Sequence, residues 1–363
     1  MSGLAREHNA INLSQGFPDF ECNEQLVELG HKYMRAGFNQ YAAMPGTIEL
    51  RERIAEIMHT CYKVTYSADS EITVTAGATQ AIYTAIAAFI KKGDEVILFD
   101  PAYDCYAPTL ELHGAKPIYS TLFAPDFKIN WQDVRSKISK ATKAIIINSP
   151  HNPSGSVIDA NDLLELEKIV LEHNLLVISD EVYEHMVFDG VLHQSICRST
   201  ALKQRSIIVS SFGKTVHTTG WKIGYVAAPA YLMIEFRKVH QFLVFVVNHP
   251  LQLALAEFLG NKNNYLDLKN FYQKKRDLFL SLTASSRLKP LACAGTYFQV
   301  MDYSAISAEK DTDLAIRLTK EKKLATIPLS VFYGQAPEQT LLRFCFAKKD
   351  ETLKKAAEII CSL

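Results

Sequence analysis

The sequence Leu175-Leu176-Val177-Ile178-Ser179-Asp180-Glu181-Val182-Tyr183 decides the fold class of this chain. It begins with a continuously apolar run, and two acids and a phenol follow. A strand buried on both faces shows no polar alternation, so this run predicts a strand of a parallel sheet that helices cover on both sides. Similar runs occupy residues 96–99, 144–148, 207–210 and 224–228, and residues 161–172 have apolar side chains at helical spacing. The sequence therefore predicts an α/β fold with a mostly parallel sheet sandwiched by helices.

Reactive side chains follow the ends of these strands. Asp180 and Tyr183 follow one strand, and Lys214 follows another in Ser210-Ser211-Phe212-Gly213-Lys214-Thr215. Ligands of open α/β sheets bind beyond the carboxyl ends of the strands. A lysine there can form a Schiff base, and an acid beside it can hold a pyridinium proton. A single lysine is most simply a solvated surface residue, but this combination favours an active site.

A candidate phosphate site lies upstream, where a β-branched strand leads through Gly77, Ala78 and Thr79 into a helix-forming segment. Free backbone N–H groups at the start of a helix attract anions. On its own, this pattern is more typical of a plain tight turn. Further along, two prolines and a glycine in the loop 149–155 hold Asn152 as a rigid hydrogen-bonding group.

Three motifs resemble those of the class I aminotransferases, which are pyridoxal-phosphate enzymes of fold type I. They are Asn-Pro-x-Gly at 152–155, Asp-Glu-x-Tyr at 180–183 and Ser-Phe-Gly-Lys at 211–214. The resemblance extends from Ser-Gln-Gly-Phe-Pro-Asp-Phe at 14–20 to Arg-Phe-Cys-Phe-Ala at 343–347, and so covers nearly the whole chain. The first of these stretches is typical of the branch that contains kynurenine/glutamine and bacterial methionine aminotransferases.

This resemblance implies two domains and a particular chemistry. A large pyridoxal-phosphate-binding domain is expected at residues 36–255, and a smaller α+β domain at residues 1–35 and 256–363. The expected reaction moves the amino group of an L-amino acid to a 2-oxo acid by ping-pong kinetics. The alternative is β-elimination from cysteine conjugates, or kynurenine/glutamine aminotransferase activity, at the same site.

The resemblance also implies roles for individual residues. Lys214 is the Schiff-base lysine and the base that moves the Cα proton, because the pKa of a lysine falls readily when it is desolvated. Asp180 faces the pyridine nitrogen, and Tyr183 and Asn152 hydrogen-bond the 3-oxygen of the cofactor. Tyr103 stacks on the cofactor ring, although a tyrosine after a proline turn is more often a half-buried packing residue.

The cofactor phosphate is expected to bind backbone N–H groups, a hydroxyl and a cation, supplied by Gly77, Ala78, Thr79, Ser211 and Lys222. Lys222 departs from the arginine that is more frequent in the family, and a lysine cannot bind phosphate through a bidentate fork. Tyr41 matches a residue that reaches the phosphate from a second subunit. The resemblance therefore implies a homodimer with shared active sites, in which residues 242–248 line the neighbouring pocket.

The substrate is expected to bind through its α-carboxylate and to have an apolar or aromatic side chain. Arg343 matches the arginine that holds the carboxylate, with Asn152, Gly16 and Phe17 beside it. Burying a second carboxylate without a cation is costly. We therefore expect methionine and aromatic donors to outperform aspartate, in a pocket formed by Phe17, Phe20, Tyr41, Tyr103, Phe245, Val247 and Phe332.

Composition excludes several other classes of protein. Lysine plus arginine equals aspartate plus glutamate at 39 each, so no basic field favours nucleic acid. No apolar run approaches the ~20 residues that span a bilayer, and the N-terminal residues do not show the charged, apolar and small-residue pattern of a signal peptide. The seven cysteines form no C-x-x-C pair and no histidines have metal-ligand spacing, so we expect no metal. An odd number of cysteines also argues against a disulfide framework, so we expect a cytoplasmic location. No G-x-G-x-x-G follows a strand, which disfavours a nicotinamide dehydrogenase.

Overall fold

The structure, a computed structural model, describes residues 1–363. Its strands are β1 (Ile11–Asn12), β2 (Ile72–Thr75), β3 (Glu95–Asp100), β4 (Lys116–Thr121), β5 (Thr142–Asn148), β6 (Leu176–Asp180), β7 (Ser206–Ser211), β8 (Gly224–Ala227), β9 (Lys289–Pro290), β10 (Phe298–Asp302), β11 (Leu324–Ala325), β12 (Ile327–Pro328) and β13 (Leu341–Cys345).

The α-helices are α1 (Ser2–Glu7), α2 (Glu24–Arg35), α3 (Ile48–Tyr62), α4 (Gly77–Phe89), α5 (Tyr106–Leu112), α6 (Trp131–Lys137), α7 (Ala160–Glu172), α8 (Thr200–Lys203), α9 (Phe212–Thr215), α10 (Ala230–Leu243), α11 (His249–Phe258), α12 (Asn263–Leu266), α13 (Leu268–Leu282), α14 (Asp311–Glu321) and α15 (Asp350–Cys361). Short 3₁₀ turns occupy Ile196–Arg198, Thr219–Trp221 and Leu329–Phe332.

The central sheet has seven strands in the order β2-β8-β7-β6-β5-β3-β4. Strands β3 to β7 are parallel, as the apolar runs predict, whereas β8 is antiparallel to both β2 and β7. The reason is the connection between β7 and β8, which contains only α9 and a 3₁₀ turn. A parallel strand needs a crossover, usually a full helix, so this short connection brings the chain back in the opposite direction.

Both faces of the sheet are buried, which confirms the predicted α/β architecture. Val96 and Leu98 of β3 pack toward α4 and α10, whereas Ile97 between them packs toward α7. The same alternation occurs in β5 and β6. Each fully buried Ile, Leu or Val contributes about 1.5–3 kcal/mol, so the two apolar layers hold the strand ends in fixed positions.

A second region contains a four-stranded sheet, β12-β13-β10-β9, and the parallel pair β1-β11. Helices α13, α14 and α15 pack against these strands in one apolar core. Through β1, the start of the chain joins this C-terminal region, since Ile11 pairs with Leu324. The helical segment that begins at Asn263 and ends at Leu282 is divided at Asp267 into α12 and α13. The proposed boundaries at residues 35 and 255 remain a prediction.

No helix of the chain combines the length and the apolarity that a membrane crossing requires.

Candidate active site

A cavity of about 390 Å³ lies where the carboxyl ends of β5, β6 and β7 meet the segment that follows β1. Its walls include nearly all of the predicted site residues: Gly16, Phe17, Gly77, Ala78, Thr79, Tyr103, Asn152, Asp180, Tyr183, Ser211, Lys214, Lys222 and Arg343. Tyr41 is the exception. Residues that are more than 300 positions apart in sequence therefore form one enclosed surface.

Lys214 lies in α9, immediately after β7, and its side chain is half-buried. Its Nζ donates to the Tyr297 hydroxyl at 2.8 Å and to the Gly16 carbonyl at 3.1 Å. Burial lowers the pKa of the Lys214 ammonium to about 8, because a charged amine loses hydration there. A substantial fraction of the amine is therefore neutral near physiological pH, as a base requires.

Asp180 is the last residue of β6 and is only 3% exposed. Its carboxylate accepts hydrogen bonds from the Tyr106 hydroxyl at 2.6 Å and from the Val182 N–H at 3.3 Å. Asn148 of β5 donates to the Asp180 carbonyl at 2.8 Å, which joins the ends of the two strands. Burial raises the pKa of the Asp180 carboxyl to about 6. This carboxylate is therefore held in a dry position, where a cationic partner would stabilise it strongly.

Arg343 lies on β13, and its guanidinium is buried without a carboxylate partner. Its Nη1 donates to Asn152 Oδ1 at 2.7 Å, and Nη2 donates to the Ser14 carbonyl at 3.3 Å. The guanidinium carbon lies 3.8 Å from the ring centroid of Phe298 and 4.8 Å from that of Phe332. The Nε–H has no hydrogen-bond partner. A buried cation with an unused donor is costly unless an anion binds to it.

A cradle for a second anion lies at the start of α4. Gly77 has φ +77°, and a Cβ at this position would lie 3.2 Å from Lys222 Nζ, so the backbone approaches the lysine closely. The helix has no side-chain cap, the Ala76 N–H before it donates to Gln80 Oε1 at 2.9 Å, and Lys222 has no carboxylate partner. Ser211 lines the same side of the cavity. Free N–H groups, a hydroxyl and a cation are a suitable set for phosphate.

Tyr103 and Tyr183 also form part of the cavity wall. The Tyr103 hydroxyl lies 3.5 Å from Thr79 Oγ1, and its ring contacts that of Tyr106 edge to face. Tyr183 is buried, and burial raises the pKa of its phenol well above the usual range. Both phenols therefore remain protonated at neutral pH and can donate hydrogen bonds.

Several residues of the predicted substrate pocket lie elsewhere. Phe20 does not line the cavity, because its ring packs against His217 and Phe271 at 5.0 and 5.4 Å. Tyr41 is 81% exposed and contacts Phe245 edge to face at 5.3 Å, on an outer surface that Val247 also lines. Within one chain, Phe17, Tyr103 and Phe332 are the members of the predicted aromatic set that line the cavity.

Three other arginines, Arg35, Arg51 and Arg237, lie outside the cavity. Arg51 Nε donates to the Gly46 carbonyl at 3.1 Å, and Arg237 Nε donates to Thr73 Oγ1 at 2.9 Å. Arg35 is exposed and does not line the cavity. Among the arginines, Arg343 alone contributes to the cavity wall.

Sequence reasoning missed three polar side chains of this site. Tyr106 donates to the Asp180 carboxylate, and Tyr297 accepts from the Lys214 amine. Asp104 lines the cavity as an exposed carboxylate. Asp104 directly follows Tyr103, a predicted site residue, so its position in the sequence could have indicated that it also lines the site. The two tyrosines had none, because each meets its partner only through tertiary packing.

His151 and Cys345 have structural positions. His151 is buried with Nδ1 2.6 Å from Ser154 Oγ, and burial lowers the pKa of its imidazole to about 4. Cys345 is a core residue of β13. No three His, Cys, Asp or Glu side chains come close enough together to hold a metal ion.

Comparisons with known proteins agree with this geometry. The family model "Aminotransferase class I and II" matches residues 8–360. The chain is 48% identical over 359 residues to methionine aminotransferase of Escherichia coli, covering 99% of this chain and 93% of that protein. It is 34% identical over 402 residues to kynurenine–oxoglutarate transaminase of Dictyostelium discoideum, covering 100% and 92%. The solved structure of YbdL from Escherichia coli, described as having a methionine aminotransferase function, superposes with a TM-score of 0.98 at 48% identity, covering 100% of this chain and 96% of that chain.

Proposed function

The chain belongs to the aminotransferase class I and II family and is a transaminase of the fold type I architecture, and on this premise we propose that it binds pyridoxal 5'-phosphate in the 390 Å³ cavity. The observation that carries the proposal is the arrangement of Lys214, Asp180 and Arg343 around that cavity. The cavity brings together a lysine whose pKa is lowered, a buried carboxylate, and a buried guanidinium that has no carboxylate partner.

The residues of the cavity fit the cofactor at each end. The start of α4 offers N–H groups without a side-chain cap, and Lys222 offers an unpaired ammonium for the phosphate. At the end of β6, Asp180 offers a buried carboxylate for the ring nitrogen. When bound, pyridoxal phosphate supplies an aldehyde that condenses with amines and a ring that accepts an electron pair from Cα.

Asp180 would keep the ring nitrogen protonated. Burial without a cation raises the pKa of this carboxyl to about 6, whereas a pyridinium beside it would favour the ionised form. Tyr106, which donates to the same carboxylate, holds it in position. Tyr103, Tyr183 and Asn152 line the wall between the two ends and would contact the ring and its 3-oxygen.

Arg343 would bind the α-carboxylate of the amino acid. Its guanidinium lies between Phe298 and Phe332, so its N–H groups are restricted to one plane. Asn152 and the Ser14 carbonyl each accept from one terminal nitrogen of the guanidinium, so the second N–H of Nη1 and of Nη2 remains for the substrate carboxylate. A carboxylate fixed there orients Cα toward the Lys214 amine, which moves the proton, and such positioning can account for several kcal/mol of the barrier.

We propose methionine and aromatic amino acids as preferred donors. The cavity wall contains Phe17, Phe298 and Phe332, and a thioether packs well against aromatic rings. The cations of the cavity are Lys214, Lys222 and Arg343, each of which has another role, so no cation remains for a second carboxylate. The relative from Escherichia coli is a methionine aminotransferase, which supports the same choice.

A panel of amino donors against one 2-oxo acid tests this proposal. Methionine and phenylalanine should exceed aspartate in kcat/KM by about 10- to 100-fold, as ~1.4–2.8 kcal/mol of differential binding gives. Kynurenine, glutamine and a cysteine conjugate belong in the same panel, the last without added oxo acid to detect pyruvate release. The highest kcat/KM for aspartate would contradict the pocket assignment.

We also propose a homodimer in which Tyr41 completes the phosphate site of the partner subunit. Tyr41 is 81% exposed and Phe242 is 87% exposed, which is unusual for aromatic residues unless another surface covers them. Mixing K214A with Y41A subunits tests the sharing directly. A hybrid dimer has one site with both native residues, so activity should return. A dimer that forms hybrids without regaining activity would contradict shared sites.

A reducing compartment such as the cytoplasm fits the seven cysteines, because all are free thiols and Cys197, Cys293 and Cys345 are core residues.

A further inference from the structure

We propose that Tyr297 is a positioning residue for the Lys214 amine. Together with the Gly16 carbonyl, it occupies both N–H bonds of the neutral amine and so fixes the direction of the remaining lone pair. This inference rests on the proposed function, in which that lone pair takes the Cα proton. A new N–H bond then forms, the Cα–H bond breaks, and its electron pair stays on the carbon skeleton.

The hydrogen bonds define the direction of the lone pair. Lys214 Nζ donates to Tyr297 Oη at 2.8 Å and to the Gly16 carbonyl at 3.1 Å. The Tyr297 hydroxyl itself donates to the same Gly16 carbonyl. Its own proton is therefore engaged, and its oxygen faces the lysine as an acceptor. A neutral amine has two N–H bonds, so with both occupied its lone pair has a single direction.

Both acceptors are rigidly held. Tyr297 is 1% exposed, and its ring lies 4.9 Å from that of Phe298 and 5.2 Å from that of Tyr183. A Cβ on Gly16 would lie 2.9 Å from the Phe298 ring, so only glycine can bring its carbonyl this close. The packing around Tyr297 therefore fixes its hydroxyl oxygen in one position. The Lys214 amine must take the orientation that allows a hydrogen bond to that oxygen.

The acceptors come from a different part of the fold than the lysine. Lys214 belongs to the connection between β7 and β8 of the central sheet. Gly16 follows β1, and Tyr297 immediately precedes β10, and both strands belong to the two smaller sheets. The direction of the lone pair thus depends on how the N- and C-terminal segments pack onto the central sheet.

The variant Tyr297→Phe tests this role, with Tyr272→Phe as a matched control. Tyr272 is a buried neighbour whose ring lies 5.6 Å from that of Tyr297, and its hydroxyl has no hydrogen-bond partner. Both substitutions remove one hydroxyl from the same apolar core, but only Y297F removes a contact to Lys214. Because the ring and the Gly16–Lys214 hydrogen bond remain, Y297F is expected to fold, which its Tm will show.

Three measurements distinguish positioning from a structural role. In Y297F, kcat for methionine should fall about 10- to 100-fold, because the neutral amine loses one of the two hydrogen bonds that orient its lone pair, while KM stays within about threefold. The isotope effect on kcat with Cα-deuterated methionine should rise, because proton transfer becomes slower. In the apoprotein, reductive methylation of Lys214 can be followed by peptide mass spectrometry as a function of pH. Y297F lacks an acceptor that stabilises the ammonium, so the pKa of Lys214 should fall and methylation should begin at lower pH.

The outcomes separate this inference from the proposed function. An active wild type whose Y297F variant keeps the native kcat, isotope effect and methylation profile would overturn the role of Tyr297. Equal losses in Y297F and Y272F would overturn it as well. A wild type that transaminates no amino acid, or a K214A variant that turns over normally, would instead contradict the proposed function.

Discussion

Replacing Asp180 by Asn should stabilise the apoprotein while disabling the enzyme. Burial raises the pKa of this carboxyl from an ordinary 3.8 to about 6, so its ionised form is unfavourable in the folded apoprotein. That difference, at about 1.36 kcal/mol per pKa unit, corresponds to about 3 kcal/mol. Asn has nearly the same shape as Asp and can accept the Tyr106 hydrogen bond through its one oxygen, so the substitution removes the charge and keeps the packing, while the longer 3.3 Å contact with the Val182 N–H is lost.

The sign of the pH dependence follows from proton binding. The folded apoprotein holds the Asp180 proton more tightly than the unfolded chain does, so the wild type loses stability as pH rises from about 4 to about 7. The Asn variant has no such loss. Its advantage in free energy of unfolding should therefore be near zero at about pH 4 and reach about 3 kcal/mol at about pH 7.5.

Urea unfolding of both apoproteins at these two pH values measures the difference directly. Asp104→Asn is the control, because it makes the same change of side chain in the same cavity at an exposed position, where the carboxylate keeps its hydration. With cofactor present, kcat of D180N should fall about 100-fold or more, since losing one partner of a buried ion pair costs about 3–5 kcal/mol. An apoprotein advantage that does not change with pH would refute the argument from burial.

Three further predictions concern the other charged groups of the cavity. Lys214→Ala should abolish turnover in a coupled transaminase assay while cofactor binding through the phosphate site persists, as absorbance of the dialysed protein will show; normal turnover would contradict the role of Lys214 as base. Arg343→Lys should lower kcat/KM for methionine about 10- to 100-fold, mainly through KM, because a point charge replaces a planar fork between two rings; an unchanged KM would contradict its contact with the α-carboxylate. Asp104→Asn should raise kcat/KM for aspartate relative to methionine about threefold, because it removes a carboxylate that repels the acidic donor, and an exposed charge contributes at most about 1 kcal/mol. Added salt should reduce the effect. No change at low salt would show that Asp104 does not influence donor choice.

The fold class and most of the site could be predicted from the sequence because local patterns carried them. Continuous apolarity predicted β5, β6 and β7, and a strand buried on both faces has no alternative arrangement that satisfies its side chains. The reactive groups then follow from position, since Asp180 ends β6 and Lys214 follows β7, and the carboxyl ends of these parallel strands lie at one edge of the sheet. The motifs at 152–155, 180–183 and 211–214 added the family, which the whole-chain similarity confirms.

Tertiary structure alone decided how these groups meet. Phe20 was assigned to the pocket for its aromatic ring, but that ring prefers the larger apolar contact with Phe271. The orientation of β8 depended on a connection that is too short for a crossover. The partners Tyr106 for Asp180 and Tyr297 for Lys214 are 74 and 83 positions away along the chain. Local sequence determines which residues end a strand, whereas the contacts between distant segments depend on how the completed sheets and helices pack, which no local pattern encodes.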